Sequence, residues 1–402
     1  MNIVLFSPSW PLHGSANGIT SYCSHIARGL NDAGHTVIII TAELIGRADE
    51  NVYQLTYKPG WITRAYLSLV ERFFKGYKQY YIYTRSILST LNEIGKTTTI
   101  DIIEIEESFG WHYYLQNQLK CPVILRLHGP HFVNVANSQT TPNNFDRRRI
   151  LREERAFKNA KYITAPSQWA INAVQKEYRI APRLSEVIPN SIDLVKKDLR
   201  WNISSYTRLQ ILFVGRFDEV KGADILLKAF SHVLRSYPNA TLYFAGPDIG
   251  ITIKAKKLYF DDYVNQLFTP QEQDNIKYCG LLSPSAISQL RRQSHITVLS
   301  SRHEVFSYAA LEALAHCTPV IVSNVGGLTE MLDNSSGVFF EPKNALDLSQ
   351  KISTLFEDED RLKSLSKNGR LRCRSMFSNQ RIALKSASNY QKVIFAYRLY
   401  NE

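Results

Sequence analysis

The sequence predicts an α/β protein of two doubly wound domains in tandem, and three observations lead there. Short β-branched runs alternate with helical patterns along most of the 402 residues, the signature of parallel strands joined by crossover helices. The runs fall into two series, each large enough for its own sheet. Between them the strand pattern gives way to VIPNSIDL at 187–194 and the polar stretch KKDLRWNISSYTRLQ that follows.

The first series comprises NIVLF at 2–6, HTVIIIT at 35–41, DIIEIE at 101–106, PVILRLH at 122–128 and KYITAPS at 161–167. The second comprises QILFVGR at 210–216, TLYFAG at 241–246, IKYCGLL at 276–282, HITVLSS at 295–301, PVIVSN at 319–324 and GVFF at 337–340. The expected organisation is a domain over 1–190, a linker over 191–208 and a second domain over 209–375. A closing amphipathic helix over 376–402 is expected to return to the first domain.

Composition narrows the class. At 44% hydrophobic and 21% charged the chain can build globular cores without low-complexity bias. Its cysteines, Cys23, Cys121, Cys279, Cys317 and Cys373, are scattered and form no C-x-x-C pair, which disfavours a disulfide framework or a structural zinc and favours a reducing compartment. The amino-terminal MNIVLFSPSW reads as a strand rather than a secretion leader, and no run approaches the roughly 20 apolar residues of a membrane span. A cytoplasmic location is the expectation. The net charge of +12 suits nucleic acid, anionic lipid or a phosphorylated small molecule. Nucleic acid is not expected, because no recognition motif with the required spacing is present.

Two segments carry chemistry. In FVGRFDEVKGADIL at 213–226, a strand ends at Gly215, a turn carries Arg216 and Lys221, and Gly222 admits the chain to a helix whose first N–H groups lack intrahelical partners. Two cations beside a helix N-terminus suit a diphosphate; the alternative is a solvated loop with ordinary surface charges. Neither a Walker pattern nor a G-x-G-x-x-G fingerprint is present. In SSRHEVFSYAALEALAHCTPVIVSNVGG at 300–327, a strand runs into a loop bearing Glu304, and a helix starting near Phe306 or Ser307 carries Glu312 roughly two turns in. Open α/β sheets bind ligands at this carboxyl edge. A separation of about 10 Å, from a rise of about 1.5 Å per residue, rules out a shared-proton dyad but lets the acids grip two parts of one ligand. Otherwise Glu304 caps the helix and Glu312 pairs with a surface lysine.

From Glu304 to Glu312 the chain resembles the E-x7-E motif of retaining glycosyltransferases of family 4, the glycosyl transferases group 1 type with the GT-B fold. RLHGP at 126–130, VIPNSID at 187–193, GRFDEVKG at 215–222 and AHCTPVIVSNVGGLTEML at 315–332 accompany it in the family's order. The likeness runs from SPSWPLHGSANGI near the amino terminus to GVFFEP at 337–342. It implies two Rossmann-like domains facing a central cleft, the first on the acceptor side and the second binding a nucleotide sugar. It also implies transfer of the sugar, with retained configuration, to a glycan, lipid-linked or small-molecule acceptor.

By the same resemblance, Arg216 and Lys221 hold the donor diphosphate, Glu304 lies near the transferred sugar, and Glu312 accepts hydrogen bonds from the donor ribose. Val305, Phe306 and Ser307 offer backbone amides to phosphate or sugar, and Cys279, Leu281 and Leu282 lie where the nucleobase docks. Gly14, Asn17 and Gly18 match a glycine-rich loop that approaches the donor, and His128 a histidine close to the sugar, although a lone strand-end histidine is otherwise more often structural. Catalysis is thereby assigned to Glu304, His128, Arg216 and Lys221, with no metal and no cofactor beyond the UDP- or GDP-sugar donor itself. The chain departs from the pattern at Val305 and Ser307, where relatives carry glycine, which opens the question of donor identity. A nucleotide-sugar epimerase or phosphorylase of the same architecture is the alternative reading.

One stretch stands outside this frame. Residues 57–96 mix aromatics with Lys58, Arg64, Arg72, Lys75, Lys78, Arg85 and Lys96 against Glu71 and Glu93. Such a region either packs as an amphipathic helix on its own domain or rests peripherally on the inner face of an anionic membrane.

Overall fold

The computed structural model describes residues 1–12, 17–47, 49–137, 141–180, 184–253 and 256–401. The chain divides into two compact units, one holding Met1–Ala136, Thr140–Ser191 and Asn379–Glu402, the other Ile192–Ser378.

The first unit is built on β1 (Asn2–Trp10), β2 (Thr36–Leu44), β3 (Val52–Gln54), β4 (Ile102–Glu106), β5 (Val123–Arg126), β6 (Tyr162–Ala165) and β7 (Leu184–Val187). They form one sheet in the order β3-β2-β1-β4-β5-β6-β7, every pair parallel. Its inner strands are buried on both faces, Ile3, Val4, Leu5 and Ile102 each at 2% exposure or less. This is why they read as continuous Val/Ile/Leu runs. Short β3 and β7 were not anticipated, since half-exposed VYQ and LSEV carry no apolar run. The connecting helices are α1 (Gly18–Asp32), α2 (Trp61–Phe73), α3 (Tyr77–Ile94), α4 (Trp111–Leu115), α5 (His131–Ala136), α6 (Asn144–Asn159) and α7 (Gln168–Tyr178).

The second unit contains β8 (Thr207–Val214), α8 (Ala223–Ser236), β9 (Thr241–Ala245), β10 (Ile251–Ile253), β11 (Lys256–Leu258), α9 (Phe260–Leu267), α10 (Pro270–Gln273), β12 (Ile276–Gly280), α11 (Pro284–Gln293) and β13 (Ser294–Leu299). It continues with α12 (Tyr308–Ala315), β14 (Val320–Ser323), α13 (Leu328–Met331), β15 (Val338–Phe340), α14 (Ala345–Glu357) and α15 (Glu359–Arg372). Its parallel sheet runs β12-β9-β8-β13-β14-β15, with a separate β10-β11 hairpin that the sequence pattern did not reveal. Stacked rings of Phe213 and Phe244, 4.5 Å apart, lie in a core that also takes in Phe217, Phe230 and Ile296.

In each sheet the chain leaves a central strand in one direction and later returns on that strand's other side. The reversal falls between β1 and β4 in the first unit and between β8 and β13 in the second. Loops leaving the two strands there diverge and open a crevice at the carboxyl edge.

The chain ends in α16 (Asn379–Asn401), which belongs to the first unit and lies against α1. A Cβ on Gly29 would come within 2.9 Å of the Asn379 carbonyl oxygen, so the small residue sets that approach. Tyr390, fully buried, donates its hydroxyl to Glu104 at 3.1 Å.

Candidate functional site

Arg216 and Lys221 stand on the turn after β8, and Glu304 on the loop after β13, so all three emerge at the crevice of the second unit. Arg216 is held by its near neighbour, its Nε donating to Asp218 at 2.5 Å, while its side chain keeps 49% exposure. Lys221 donates its ammonium to Glu304 Oε1. The Glu304 side chain is only 8% exposed, and the Ser301 hydroxyl donates to the same oxygen at 3.2 Å. Glu304 therefore does not cap α12; that role falls to Ser307, whose Oγ accepts the Ala310 N–H.

The loop from Ser300 to Glu304 is stitched on both sides. Toward β8, the Arg302 N–H donates to Val220 O at 2.9 Å, its guanidinium forks onto both oxygens of Asp224 at 2.7 Å, and Ser300 Oγ donates to Gly222 O at 2.8 Å. Toward β14, Ser323 Oγ donates to Ser301 O at 2.6 Å and Gly327 N–H to Glu304 O at 2.8 Å. Two glycines make this possible: a Cβ on Gly222 (φ +63°) would sit 1.8 Å from Ser300 O, and one on Gly326 (φ +50°) 2.1 Å from Glu304 O. Both need left-handed backbone and contact with a carbonyl, conditions that glycine alone meets without strain.

The turn leading into α8 is tied back on itself ahead of the helix. The N–H of Lys221 bonds to Asp218 Oδ1 at 2.7 Å, that of Gly222 to Glu219 O at 3.1 Å, and that of Ala223 to Asp218 O at 3.5 Å. Arg302 neutralises Asp224 in the first turn. Arg216 and Lys221 are the two cations carried on this turn. Around α12, the Ser307 N–H meets Met331 Sδ at 3.3 Å, Val305 is buried and Phe306 half-buried.

Glu312 is the fifth residue of α12, so it lies little more than one turn in. It does not pair with a surface lysine. Its Oε2 accepts from Arg291 Nη2 at 2.8 Å, and the Arg291 side chain is wholly buried while that of Glu312 is 38% exposed. Burial lowers the Arg291 pKa and Glu312 opposes the shift. Nε and Nη1 of Arg291 have no hydrogen-bond partner among the described residues, so Glu312 is the counter-ion of an otherwise bare internal cation. His303 is buried, which pushes its pKa below the usual histidine range against the pull of Glu304.

Cys279 lies in β12, Leu281 follows it at 69% exposure and Leu282 is half-buried. Gly280 O accepts the Gly246 N–H at 2.8 Å. Cys279 carries a thiol raised by burial.

In the first unit, Gly14 falls outside the described residues. Asn17 caps α1, its Oδ1 accepting the Ile19 N–H at 2.8 Å, and Gly18 opens the helix. His128, just past β5, packs its ring edge-on to Tyr22 with centroids 5.0 Å apart. Burial and the charge of Arg126 push its imidazole well below the ordinary range, so it is neutral at pH 7. Its backbone is set by Glu107, whose carboxylate accepts the N–H of His128 at 2.9 Å and of Gly129 at 2.6 Å. Burial, then Glu153 and Glu106, raise the Glu107 carboxyl to about 8. Arg126 is 1% exposed, lies 4.5 Å over the Tyr22 ring and donates to Asn190 at 2.7 Å.

Sequence reasoning overlooked Asp218, Asp224, Arg291, Arg302 and Glu107. Asp218 was visible inside GRFDEVKG, but Arg291 and Glu107 lie far in sequence from the groups they hold.

Comparisons with known proteins bear on the same segments. The Glycosyltransferase Family 4 model matches residues 16–196 and the glycosyl transferases group 1 model residues 195–372. An uncharacterised glycosyltransferase of Methanocaldococcus jannaschii is 28% identical over 257 residues, 64% of this chain and 64% of that one. Spore coat protein SA of Bacillus subtilis is 27% identical over 206 residues, 49% of this chain and 52% of its own. The chain spans from about half to just under two-thirds of the length of these relatives. Among solved structures, sucrose-phosphate synthase from Thermosynechococcus elongatus superposes with a TM-score of 0.73 at 20% identity, over 98% of this chain and 99% of that one. HepE of Anabaena in complex with UDP gives 0.68 at 16%, over 98% and 100%. At such identities the likeness shows the shared GT-B fold. With the two family models together covering residues 16–372, the chain belongs to the group 1 glycosyl transferases of family 4.

Proposed function

We propose that the chain is a retaining glycosyltransferase that moves a sugar from a nucleoside diphosphate to an acceptor hydroxyl in polysaccharide, glycolipid or other glycoconjugate biosynthesis. One observation carries the reading: Arg216, Lys221 and Glu304 converge at the β8/β13 crevice on loops stitched to their neighbours. As the glycosidic bond breaks, negative charge gathers on the leaving diphosphate, and fixed cations stabilise it more as it grows. Arg216 and Lys221 therefore act on turnover as well as binding. Lys221 exchanges its bond to Glu304 for one to phosphate, freeing a carboxylate beside the sugar.

Glu312, oriented by Arg291, receives the ribose hydroxyls; Val305, Phe306 and Ser307 border the phosphates or sugar, and Cys279, Leu281 and Leu282 the base. The family resemblance assigns His128 of the first unit to the sugar as a neutral hydrogen-bonding group, and the loop of Asn17 and Gly18 to donor and acceptor; Gly14, assigned with them, lies outside the described residues. The leaving phosphate takes the acceptor proton in a front-face attack, so no side chain is needed as a strong base. The UDP bound to HepE supports a nucleotide-sugar donor, UDP or GDP, and the acceptor is a glycan, a lipid-linked glycan or a small molecule. A reducing, cytoplasmic setting agrees with the five free cysteines.

Thermal melts with a panel of nucleotide sugars identify the donor, since a ligand that prefers the native state raises the melting temperature. Release of its nucleoside diphosphate should then depend on added acceptor. Donor conversion without acceptor would support the epimerase reading instead.

A further inference from the structure

The stretch from 57 to 96 divides into two helices with opposite fates. Helix α3 buries Ile87, Leu91 and Ile94 against the first unit, whereas α2 buries Leu67 alone. Of the two readings of this stretch, packing on its own domain describes α3, whereas α2 leaves its apolar side chains largely uncovered. On α2, Ile62, Tyr66, Leu69 and Phe73 follow one another at intervals of four, three and four residues and so line one face. They are 65%, 58%, 56% and 70% exposed, and Trp61 and Phe74 at the ends add 75% and 56%. Apolar side chains at helical spacing normally face a core; this stripe faces outward.

Charge selects the occupant. Lys58, Arg64, Arg72 and Lys75, on α2 and the turns at its ends, are all exposed. Arg148 adds a fifth cation, donating to Phe73 O at 3.1 Å and Lys75 O at 3.2 Å. The one acid of the helix, Glu71, is engaged, accepting the N–H of Gly76 at 2.6 Å and of Lys78 at 2.8 Å. An outward apolar stripe carrying Trp, Tyr and Phe, with cations around it and no unengaged carboxylate, is complementary to an anionic lipid surface. A second copy of the chain would set these cations against one another. Among the described residues no helix is long and apolar enough to cross a membrane, so the contact is peripheral.

We infer that α2 docks the first unit on an anionic bilayer, lying in the interface with Ile62, Tyr66, Leu69 and Phe73 among the acyl chains and the basic groups at the headgroups.

The test is flotation of the full chain with vesicles of phosphatidylcholine alone or mixed with phosphatidylglycerol, at low and high salt. Wild type should float with the anionic vesicles, less so at high salt. The variant Leu69→Glu/Phe73→Glu should lose binding at least about tenfold with its melting temperature unchanged, because both positions are exposed. Lys58→Gln/Arg64→Gln/Arg72→Gln/Lys75→Gln should lose the preference for anionic over neutral vesicles. Flotation unaffected by either variant, or a wild type that stays at the bottom, overturns the inference. So does sedimentation showing a stable dimer that Phe73→Glu dissociates, since the face would then belong to a second copy. None of these readouts depends on the donor or on transfer.

Discussion

Replacing Lys221 with methionine removes a cation from the proposed phosphate site and strips Glu304 of its counter-ion at once, and the two consequences can be measured apart. Glu304, with 8% of its side chain exposed, would keep the Ser301 hydroxyl at 3.2 Å and no cation. Removing one partner of a buried ion pair costs about 3–5 kcal/mol. The Lys221 side chain is 28% exposed, so water screens part of the attraction and the expected loss falls to about 2 kcal/mol. Glu304→Gln in the same background removes the orphaned charge, and the double variant should recover most of that stability, giving a coupling above about 1 kcal/mol. Urea unfolding of wild type, both single variants and the double reads this cycle. Turnover should respond differently: Lys221→Met and the double variant both lose at least about tenfold, or about 1.4 kcal/mol of barrier, because neither has the cation. A single variant within about 0.5 kcal/mol of wild type in urea, with no coupling, would refute the stability argument. Full recovery of transfer in the double variant would refute the role of Lys221 in holding phosphate.

Three further outcomes follow from the same geometry. Glu312→Ala should cut transfer at least about tenfold and also lower the melting temperature, since Arg291 loses its counter-ion; the double variant with Arg291→Met should restore the melting temperature but not the activity. Gly326→Ala should lower the melting temperature by about 4 °C or more, because its Cβ would sit 2.1 Å from Glu304 O at φ +50°; an unchanged melt would show that the loop can shift freely. Glu107 is raised from 4.5 to about 8 in the folded chain, so between those values the native state holds a proton that the unfolded chain does not. Its stabilising contribution is complete below the unfolded value and is lost as pH rises through about 8. Glu107→Gln should flatten the decline in urea midpoint between pH 5 and 8 (approximate bounds set by this linkage), and an unaltered slope would count against it.

The sequence made the long buried strands and their alternation with helices legible, because strands covered on both faces must be apolar throughout. It concealed β3, β7 and the β10-β11 hairpin, whose short half-exposed runs obtain their order from neighbours. Arg216, Lys221, Glu304 and Glu312 stood out because charge in a strand-to-helix turn or on an apolar helix asks for a reason. Their partners stayed hidden: no local pattern links Arg291 to Glu312, Arg302 to Asp224, or Glu107 to the backbone of His128. Those bonds exist only once the loops after different strands are brought to one sheet edge. Helix propensity similarly located α2, but its periodicity alone could not say whether the apolar face turned inward or outward.

The most direct measurement is calorimetric titration of wild type and the Arg216→Gln/Lys221→Met variant with the nucleoside diphosphate of the selected donor and with the corresponding nucleoside. The two cations should make the diphosphate bind wild type far more tightly than the nucleoside, and the variant should lose about 3 kcal/mol or more of that preference, each charge-assisted bond contributing roughly 1.5–3 kcal/mol. Equal binding of the diphosphate by wild type and variant would show that its charge is held elsewhere.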